Sequence, residues 1–125
     1  MKNILITGGA GLVGSVLTKG LKDKFNISIL DIKKVDGVDS HTGDISNIDS
    51  IVPAFKGIDT VVHLAGDRRV YGDWDSILNN NIIGLYNIYE AARLSGVKRV
   101  VFASSQHATG AVSYTHLTLP TIYSV

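Results

Sequence analysis

Residues 2–21 read KNILITGGAGLVGSVLTKGL, a short apolar run followed by evenly spaced glycines. The run at residues 3–6 has the length and β-branched content of a buried strand. Three glycines then recur every third residue, at Gly8, Gly11 and Gly14. In a turn from strand to helix, Gly8 permits the tight bend, Gly11 lets phosphates approach main-chain N–H groups, and Gly14 lets the helix lie close to the strand. The spacing therefore predicts a cradle for the pyrophosphate of a dinucleotide.

A helix is predicted just beyond the glycines. Apolar residues recur there at helical spacing, at Val13, Val16, Leu17, Gly20 and Leu21. A Walker-type phosphate loop needs Lys and then Ser or Thr after its last glycine, whereas Ser15 follows Gly14 here. The segment is therefore typical of a dinucleotide loop and not of a nucleoside triphosphate loop.

Asp31 ends a second apolar run, residues 27–30, and lies 23 positions after Gly8. A carboxylate at the tip of the second strand can accept hydrogen bonds from the ribose hydroxyls of adenosine. Spacing and strand-tip position favour this role over that of a solvated loop carboxylate. Asp31 would repel a ribose 2′-phosphate, whereas Lys33 or Lys34 would attract one. NAD is therefore favoured over NADP.

The composition of the 125-residue chain predicts one compact domain, with 45% hydrophobic and 18% charged residues. A formal net charge of +1 gives no field that would gather nucleic acid. The chain has no cysteine for disulfides or thiolate sites, and its four histidines lack zinc-ligand spacing, so no metal is expected. No apolar run approaches the ~20 residues of a membrane-spanning helix, and too few apolar residues precede Gly8 for a signal-peptide core. We expect a cytoplasmic protein without a membrane partner.

Strand and helix signals alternate along the chain, which predicts the α/β class and a doubly wound parallel sheet. We expect the strand order 3-2-1-4-5. Further strands are predicted at residues 59–66 and 97–103, and a surface loop at residues 33–40.

Two further helices are predicted after the second strand. Ser46 and Asp49 have the spacing of a capping box, so a short helix should follow them and run to about Lys56. A long helix is expected over residues 76–95, ended by Gly96. Its buried stripe is expected to carry Leu78, Leu85, Ile88 and Ala92.

Several polar or small positions stand out within these elements. Asn81 falls on the apolar stripe, and because an unpaired buried amide costs about 1 to 3 kcal/mol, it should be hydrogen-bonded. His63 is expected to be a core histidine with a hydrogen-bond partner. Asp44 has two equal interpretations, as part of the capping region or facing the adenine of a cofactor. Ala65 and Gly66 would let main chain approach a ligand at the end of their strand.

The end of the chain differs in composition, because residues 100–125 contain no Asp, Glu, Lys or Arg. Ser104 and Ser105 follow the strand at residues 97–103 and are either candidates for substrate contact or part of a Ser-rich turn. We expect the edge of this strand to be uncovered, which would favour aggregation.

Several motifs occur in order over residues 1–110 and together resemble the extended short-chain dehydrogenase/reductase family, also called the NAD-dependent epimerase/dehydratase family. They are TGGAGLVG at 7–14, Asp31, GDI at 43–45, HLAG at 63–66, NNNIIG at 79–84 and FASS at 102–105. The run NIIGLYNIYEAAR at 81–93, followed by FASSQHATG at 102–110, looks especially like the uronate dehydrogenases. The resemblance implies a Rossmann fold, NAD as cofactor, and a sugar or uronic acid as the small-molecule substrate.

The resemblance also implies site residues. Main-chain N–H groups of Leu12 and Val13 would bind the pyrophosphate, and Asp31 the adenosine ribose. Asp44 with Ile45 would flank adenine, and residues 64–66 would lie near the nicotinamide-side ribose. Asn81 would tie its helix to the neighbouring strand. The full implied cofactor set is Gly8, Gly11, Leu12, Val13, Gly14, Asp31, Ile32, Asp44, Ile45, Leu64, Ala65, Gly66, Asn81 and Ala103.

Ser105 matches the family's catalytic Ser or Thr. The resemblance implies that Ser105, Gln106 and His107 contact the substrate. Gln106 replaces a more usual Asn. The implied chemistry moves a hydride from a sugar carbon to NAD while a tyrosine, activated by a lysine four residues on, removes the hydroxyl proton. No lysine follows Arg99, so this Tyr-x-x-x-Lys pair is absent.

We therefore expect residues 1–110 to be the NAD-binding half of an NAD-dependent oxidoreductase, inactive by itself because the pair is absent. Residues 111–125 are expected to be a foreign tail on a truncated gene, the alternative being a natural short form. A nucleotide-sugar epimerase or dehydratase and a non-catalytic NAD-binding module are the other functions considered, and Gln106 with His107 favours the dehydrogenase. For the full-length protein from which this chain would derive, a homo-oligomer is one of the states considered.

Overall fold

The strands form one six-stranded sheet in the computed structural model, which describes residues 2–65, 74–103 and 122–124. They are β1 (Asn3–Thr7), β2 (Asn26–Asp31), β3 (Asp39–Thr42), β4 (Thr60–His63), β5 (Arg99–Ala103) and β6 (Ile122–Ser124). Their order is β3-β2-β1-β4-β5-β6, with β1 to β5 parallel and β6 antiparallel to β5. The predicted parallel sheet with order 3-2-1-4-5 is therefore confirmed for the first five strands.

Helices lie in the connections from β1 to β2, from β3 to β4 and from β4 to β5. They are α1 (Leu12–Leu21), α2 (Ile48–Ile51) with a 3-10 helix (Val52–Phe55), α3 (Trp74–Ser76), a π-helix (Ile77–Ile83) and α4 (Gly84–Ser95). The chain moves one way across the sheet from β1 to β2 and the other way from β4 to β5. Because parallel crossovers are right-handed, α1 and α4 lie on opposite faces of the sheet.

The main core lies between the sheet and the helices on one of its faces, which are α2, the 3-10 helix and α4. Leu5 lies opposite Val61 in the β1–β4 register, and both are fully buried. Full burial of such a side chain stabilises the fold by about 1.5 to 3 kcal/mol. The cluster they belong to contains Leu5, Leu30, Ile45, Ile51, Ala54, Phe55, Val61, Ile88, Ala91, Ala92 and Val100.

The predicted helix is present as α1, but its apolar residues do not all face the sheet. Val13 and Val16 are 51% and 63% exposed, whereas Gly14 and Thr18 are the buried residues of this helix. The cause is the close approach at Gly14, where an added Cβ would lie 2.6 Å from the Cα of Gly9. This main-chain contact determines the rotation of α1. The side with Gly14 and Thr18 therefore faces the sheet, although Val13 and Val16 are more apolar.

The long helix predicted over residues 76–95 is interrupted. Residues 77–83 are π-helical, and regular α-helix begins only at Gly84. Leu78 and Leu85 are half-buried, and the buried residues of α4 are Gly84, Asn87, Ile88, Ala91 and Ala92. The predicted end is confirmed, because Gly96 adopts the left-handed conformation and its N–H bonds to the carbonyls of the last turn.

The short helix after β3 is present, but its cap differs from the prediction. Asn47, not Ser46, is the N-cap residue, and its side chain accepts a hydrogen bond from the Asp49 N–H. The helix changes from α to 3-10 at residue 52, next to Pro53, which has no N–H to donate. The predicted loop at residues 33–40 also overlaps β3, because Asp39–Thr42 pairs with β2 although it is polar and mostly exposed.

The predicted uncovered edge of the fifth strand is wrong over residues 101–103. These residues pair in antiparallel register with β6, for example Phe102 opposite Tyr123. A β-branched and aromatic segment readily supplies the main-chain partners that an edge strand lacks.

Candidate functional site

The glycine turn after β1 adopts a conformation that requires glycine. Gly8 has φ +73°, and its N–H donates to the Leu30 carbonyl at 2.8 Å. A Cβ on Gly8 would lie 2.8 Å from the Ala65 nitrogen, so the turn also lies against the main chain that follows β4. This turn brings the ends of β1, β2 and β4 together at the carboxyl edge of the sheet.

The N-terminus of α1 opens at the same edge. Gly11 is its N-cap residue, and no side chain caps the first turn. The first N–H groups of a helix have no intrahelical acceptor and carry the positive end of its dipole. Leu12 and Val13, the first residues of α1, are 75% and 51% exposed. The arrangement suits an anionic group such as a phosphate.

Asp31 is held beside this turn by two hydrogen bonds. Its Oδ2 accepts from the Ala10 N–H at 3.0 Å, and its Oδ1 accepts from the Lys33 N–H at 3.1 Å. The first bond joins the tip of β2 to the glycine turn, one residue before Gly11. The expected convergence of Asp31 and the glycine turn is therefore present in the structure. The sequence did not indicate Ala10, because its contact is made by the main-chain N–H and does not depend on the type of side chain.

Asp44 and Ile45 follow β3 at the same edge of the sheet. The Asp44 Oδ1 accepts from the Ser46 N–H at 2.9 Å and from the Ser46 hydroxyl at 2.8 Å. These bonds place Asp44 in the turn before α2, which was one of its two interpretations; the adenine contact stays a prediction. Ile45 is buried and packs against Gly84, where an added Cβ would be 2.6 Å from Ile45 Cδ1.

The buried amide of the long helix is Asn87. Its Nδ2 donates to the Ile45 carbonyl at 2.8 Å and ties α4 to the segment after β3. Asn81, the residue predicted from the apolar stripe, lies in the π-helix and is half-buried. The buried face of α4 includes the predicted Ile88 and Ala92, and Asn87 is the buried amide that the prediction missed. The hydrogen bond expected of Asn81 stays a prediction.

Thr7 and His63 form a buried polar pair at the ends of β1 and β4. The Thr7 Oγ1 and His63 Nδ1 are 2.6 Å apart, and the His63 ring stacks on Phe102 with a centroid distance of 5.7 Å. Burial lowers the pKa of His63 from 6.5 to about 4. The expectation that His63 is a bonded core histidine is confirmed.

Several predicted site residues lie outside the described part of the chain. Gly66, Ser105, Gln106 and His107 belong to this group, and Ala103 is described only as the last residue of β5. Over residues 2–65, 74–103 and 122–124, no group of three His, Asp or Glu side chains could hold a metal ion. No helix within those same ranges is long and apolar enough to cross a membrane.

The strand order, the glycine turn and the helix that follows it give the chain a Rossmann-type fold. The model of the NAD dependent epimerase/dehydratase family matches residues 4–123, and the chain belongs to that family.

Known relatives extend well beyond the length of this chain. It is 39% identical over 107 residues to the L-arabinose 1-dehydrogenase (NAD(P)(+)) of Haloferax volcanii, covering 86% of this chain and 42% of that protein. Among solved structures, a uronate dehydrogenase from Agrobacterium tumefaciens complexed with NAD is 38% identical with a TM-score of 0.78, covering 86% and 42% of the two chains. A UDP-galactose 4-epimerase is 28% identical with a TM-score of 0.80, covering 90% and 41%. The chain thus spans about two fifths of these proteins.

Proposed function

We propose that this chain binds NAD at the carboxyl edge of β1, β2 and β4, as the cofactor-binding part of a dehydrogenase that acts on a sugar or uronic acid. The observation that carries the proposal is the 3.0 Å bond from the Ala10 N–H to Asp31 Oδ2, which keeps a carboxylate beside the glycine turn. The names of relatives support the cofactor and the substrate class, since a uronate dehydrogenase of 38% identity was solved with NAD.

Each part of NAD has proposed partners in this edge. The pyrophosphate is bound by main-chain N–H groups of Leu12 and Val13, with Gly8, Gly11 and Gly14 giving access. Asp31 and the adjoining Ile32 hold the adenosine ribose, and Asp44 with Ile45 flanks adenine. The nicotinamide-side ribose lies near residues 64–66. Asn81 and Ala103 complete the proposed set.

The charge at Asp31 favours NAD over NADP. Each carboxylate oxygen accepts one main-chain N–H and has remaining lone pairs for the ribose hydroxyls. A 2′-phosphate would bring a second negative charge to the same place. Lys33 and Lys34 are exposed and offer only solvent-screened attraction.

When bound, NAD would supply the acceptor for a hydride from a carbon of the substrate. Ser105, Gln106 and His107 are the proposed substrate-contacting residues, with Ser105 as the catalytic hydroxyl. The chain's own described residues orient the cofactor: the glycine turn holds the diphosphate and Asp31 the ribose.

Asp31→Asn tests the proposed cofactor site. We expect NAD to bind about tenfold more weakly to the variant, because a charge-assisted hydrogen bond contributes about 1.5 to 3 kcal/mol and the amide keeps part of it. The preference for NAD over NADP should narrow, since the repelling charge is gone. Titrations of the 125-residue chain with NAD and with NADP, followed by protein NMR, measure both quantities.

Asp23→Asn is the matched control, because it removes the same charge from an exposed position just past α1, at the opposite edge of the sheet. It should leave both affinities unchanged. Equal NAD affinity in the wild type and the Asp31→Asn variant would contradict the proposed role of Asp31. A wild-type chain that binds neither dinucleotide would contradict the proposed function.

A nucleotide-sugar epimerase is the second candidate for the parent protein, favoured by the TM-score of 0.80 to a UDP-galactose 4-epimerase. A dehydrogenase releases NADH, whereas an epimerase returns the hydride to its substrate. The pair Gln106 and His107 after Ser105 favours the dehydrogenase. A non-catalytic NAD-binding module is the third candidate, because it needs no Tyr-x-x-x-Lys pair.

The 125-residue chain should bind NAD weakly and turn over no substrate. The reason is that no Tyr-x-x-x-Lys pair follows Ser105 to remove the hydroxyl proton. Absorbance of NADH, recorded with NAD and glucuronate or L-arabinose, measures turnover. Steady NADH production would refute this expectation.

The source gene decides between the remaining candidates. A Tyr-x-x-x-Lys encoded beyond the codon for Gly110 would identify residues 1–110 as an enzyme's cofactor-binding half and residues 111–125 as a foreign tail. A gene that ends as this chain does would favour the non-catalytic module.

A further inference from the structure

Thr7 and His63 end β1 and β4 directly opposite each other in the sheet register. Thr7 is fully buried and His63 is 1% exposed, although both side chains are polar. Their 2.6 Å contact joins the two strands that border the proposed cofactor site.

The hydrogen bonds around the Thr7 hydroxyl determine where its proton lies. The Leu64 N–H points to Thr7 Oγ1 at 3.1 Å and the Ala65 N–H at 3.3 Å. Main-chain N–H groups only donate, so the hydroxyl accepts both bonds and its own proton must go to His63 Nδ1. His63 is therefore neutral, with its proton on Nε2. The hydroxyl's donor and both lone pairs are then used.

The hydroxyl binds the main chain of Leu64 and Ala65, which follow β4 and contact the glycine turn. A Cβ on Gly8 would be 2.8 Å from the Ala65 nitrogen and 3.0 Å from the Leu64 carbonyl carbon. The Leu64 N–H also donates to the Thr7 carbonyl at 3.0 Å. The position of residues 64–65 against the turn therefore depends on the rotamer of Thr7.

We infer that His63 is a positioning residue for the NAD site: it accepts the Thr7 proton, fixes that hydroxyl, and so holds the Leu64–Ala65 main chain against the glycine turn. Stacking on Phe102, with 22° between the rings, keeps Nδ1 directed at Thr7. The inference rests on the proposed function, because the position matters only if residues 64–65 border a cofactor.

His63→Phe and His63→Asn form the test pair in the 125-residue chain. Phe keeps a ring to stack on Phe102 but has no acceptor, whereas Asn offers its Oδ1 close to the place of Nδ1. In His63→Phe, the Leu64 and Ala65 amides should exchange with solvent about threefold to tenfold faster, in keeping with the loss of one hydrogen bond. NAD affinity should fall by a similar factor, and His63→Asn should restore much of both.

Ile51→Val is the control, because it weakens a fully buried core position on α2, outside β1, β4 and the glycine turn. It should lower global stability without a selective effect on the two amides. If His63→Phe does not fold, Thr7→Val and Thr7→Ser give the same comparison, with Ser as the variant that keeps the hydroxyl.

The ¹⁵N spectrum of His63 reports the tautomer independently of NAD. A protonated Nε2 and an unprotonated Nδ1 support the inference, and a proton on Nδ1 overturns it. Unchanged amide exchange in His63→Phe, or equal effects in Ile51→Val, would also overturn it. The wild type could show the expected His63 tautomer and slow exchange of the Leu64 and Ala65 amides but bind no NAD. In that case the Thr7–His63 contact is correct and the proposed function is wrong, and the positioning role is wrong with it.

Discussion

Gly8→Ala should lower the free energy of unfolding by about 3 kcal/mol or more and abolish NAD binding. Its φ of +73° costs a residue with a Cβ about 1 to 2 kcal/mol. The added Cβ would also lie 2.8 Å and 2.9 Å from the main-chain nitrogen and Cα of Ala65, which is closer than such contacts occur. Overpacking of this kind adds about 1 to 3 kcal/mol. Urea unfolding and NAD titration of the variant measure the two effects.

Gly57→Ala separates the two causes. Gly57 has nearly the same φ, +74°, but a Cβ there would meet nothing within 4 Å. Only the backbone cost applies, so the variant should lose about 1 to 2 kcal/mol and keep its NAD affinity. Equal destabilisation by the two substitutions would show that the contact between the glycine turn and residue 65 has no energetic weight.

Lowering the pH from 6.5 to 4 should destabilise the fold by about 3 kcal/mol through His63 alone. Burial lowers the pKa of this histidine from 6.5 to about 4 in the folded protein. Between these values the unfolded chain binds a proton that the folded chain does not, so stability falls with falling pH. The contribution is complete above pH 6.5 and is lost as the pH falls through about 4. Denaturant unfolding at several pH values measures the slope.

His63→Phe should remove this part of the pH dependence, because the titrating group is gone. Carboxylates that titrate in the same range affect wild type and variant alike, so the difference between the two slopes reports His63. His41→Gln, at an exposed position of β3, is the matched control substitution. A wild-type slope no steeper than that of His63→Phe would contradict the prediction.

His63 affects the protein in two ways, one on the whole fold and one on its immediate neighbours. Its burial makes the whole fold sensitive to acid, whereas its bond to Thr7 acts on the two residues after β4. A neutral, desolvated imidazole is a suitable acceptor there because a carboxylate would add an unpaired charge to the core. The site and the stability of the sheet are therefore linked through one side chain.

Local patterns in the sequence were sufficient for most of the sheet and for the turn at its centre. The apolar runs predicted β1, β2, β4 and β5, and their alternation with helices predicted the strand order, although the polar β3 was expected to be part of a loop. Gly8 and Asp31 were identified from spacing. These features depend on short-range stereochemistry: a positive φ needs glycine, and a strand tip followed by a turn leaves its side chain at the sheet edge.

The tertiary structure decided which faces and partners these elements use. Contact at Gly14 rotates α1 so that Val13 and Val16 face outward, and the amide of Asn87, which no sequence pattern singled out, binds the Ile45 carbonyl. Likewise, the Ala10 contact to Asp31 and the Thr7 contact to His63 join residues 21 and 56 positions apart. A periodic pattern records that a residue is apolar or polar, but closest approach between main chains sets helix rotation, and long-range donors and acceptors meet only once the sheet has formed.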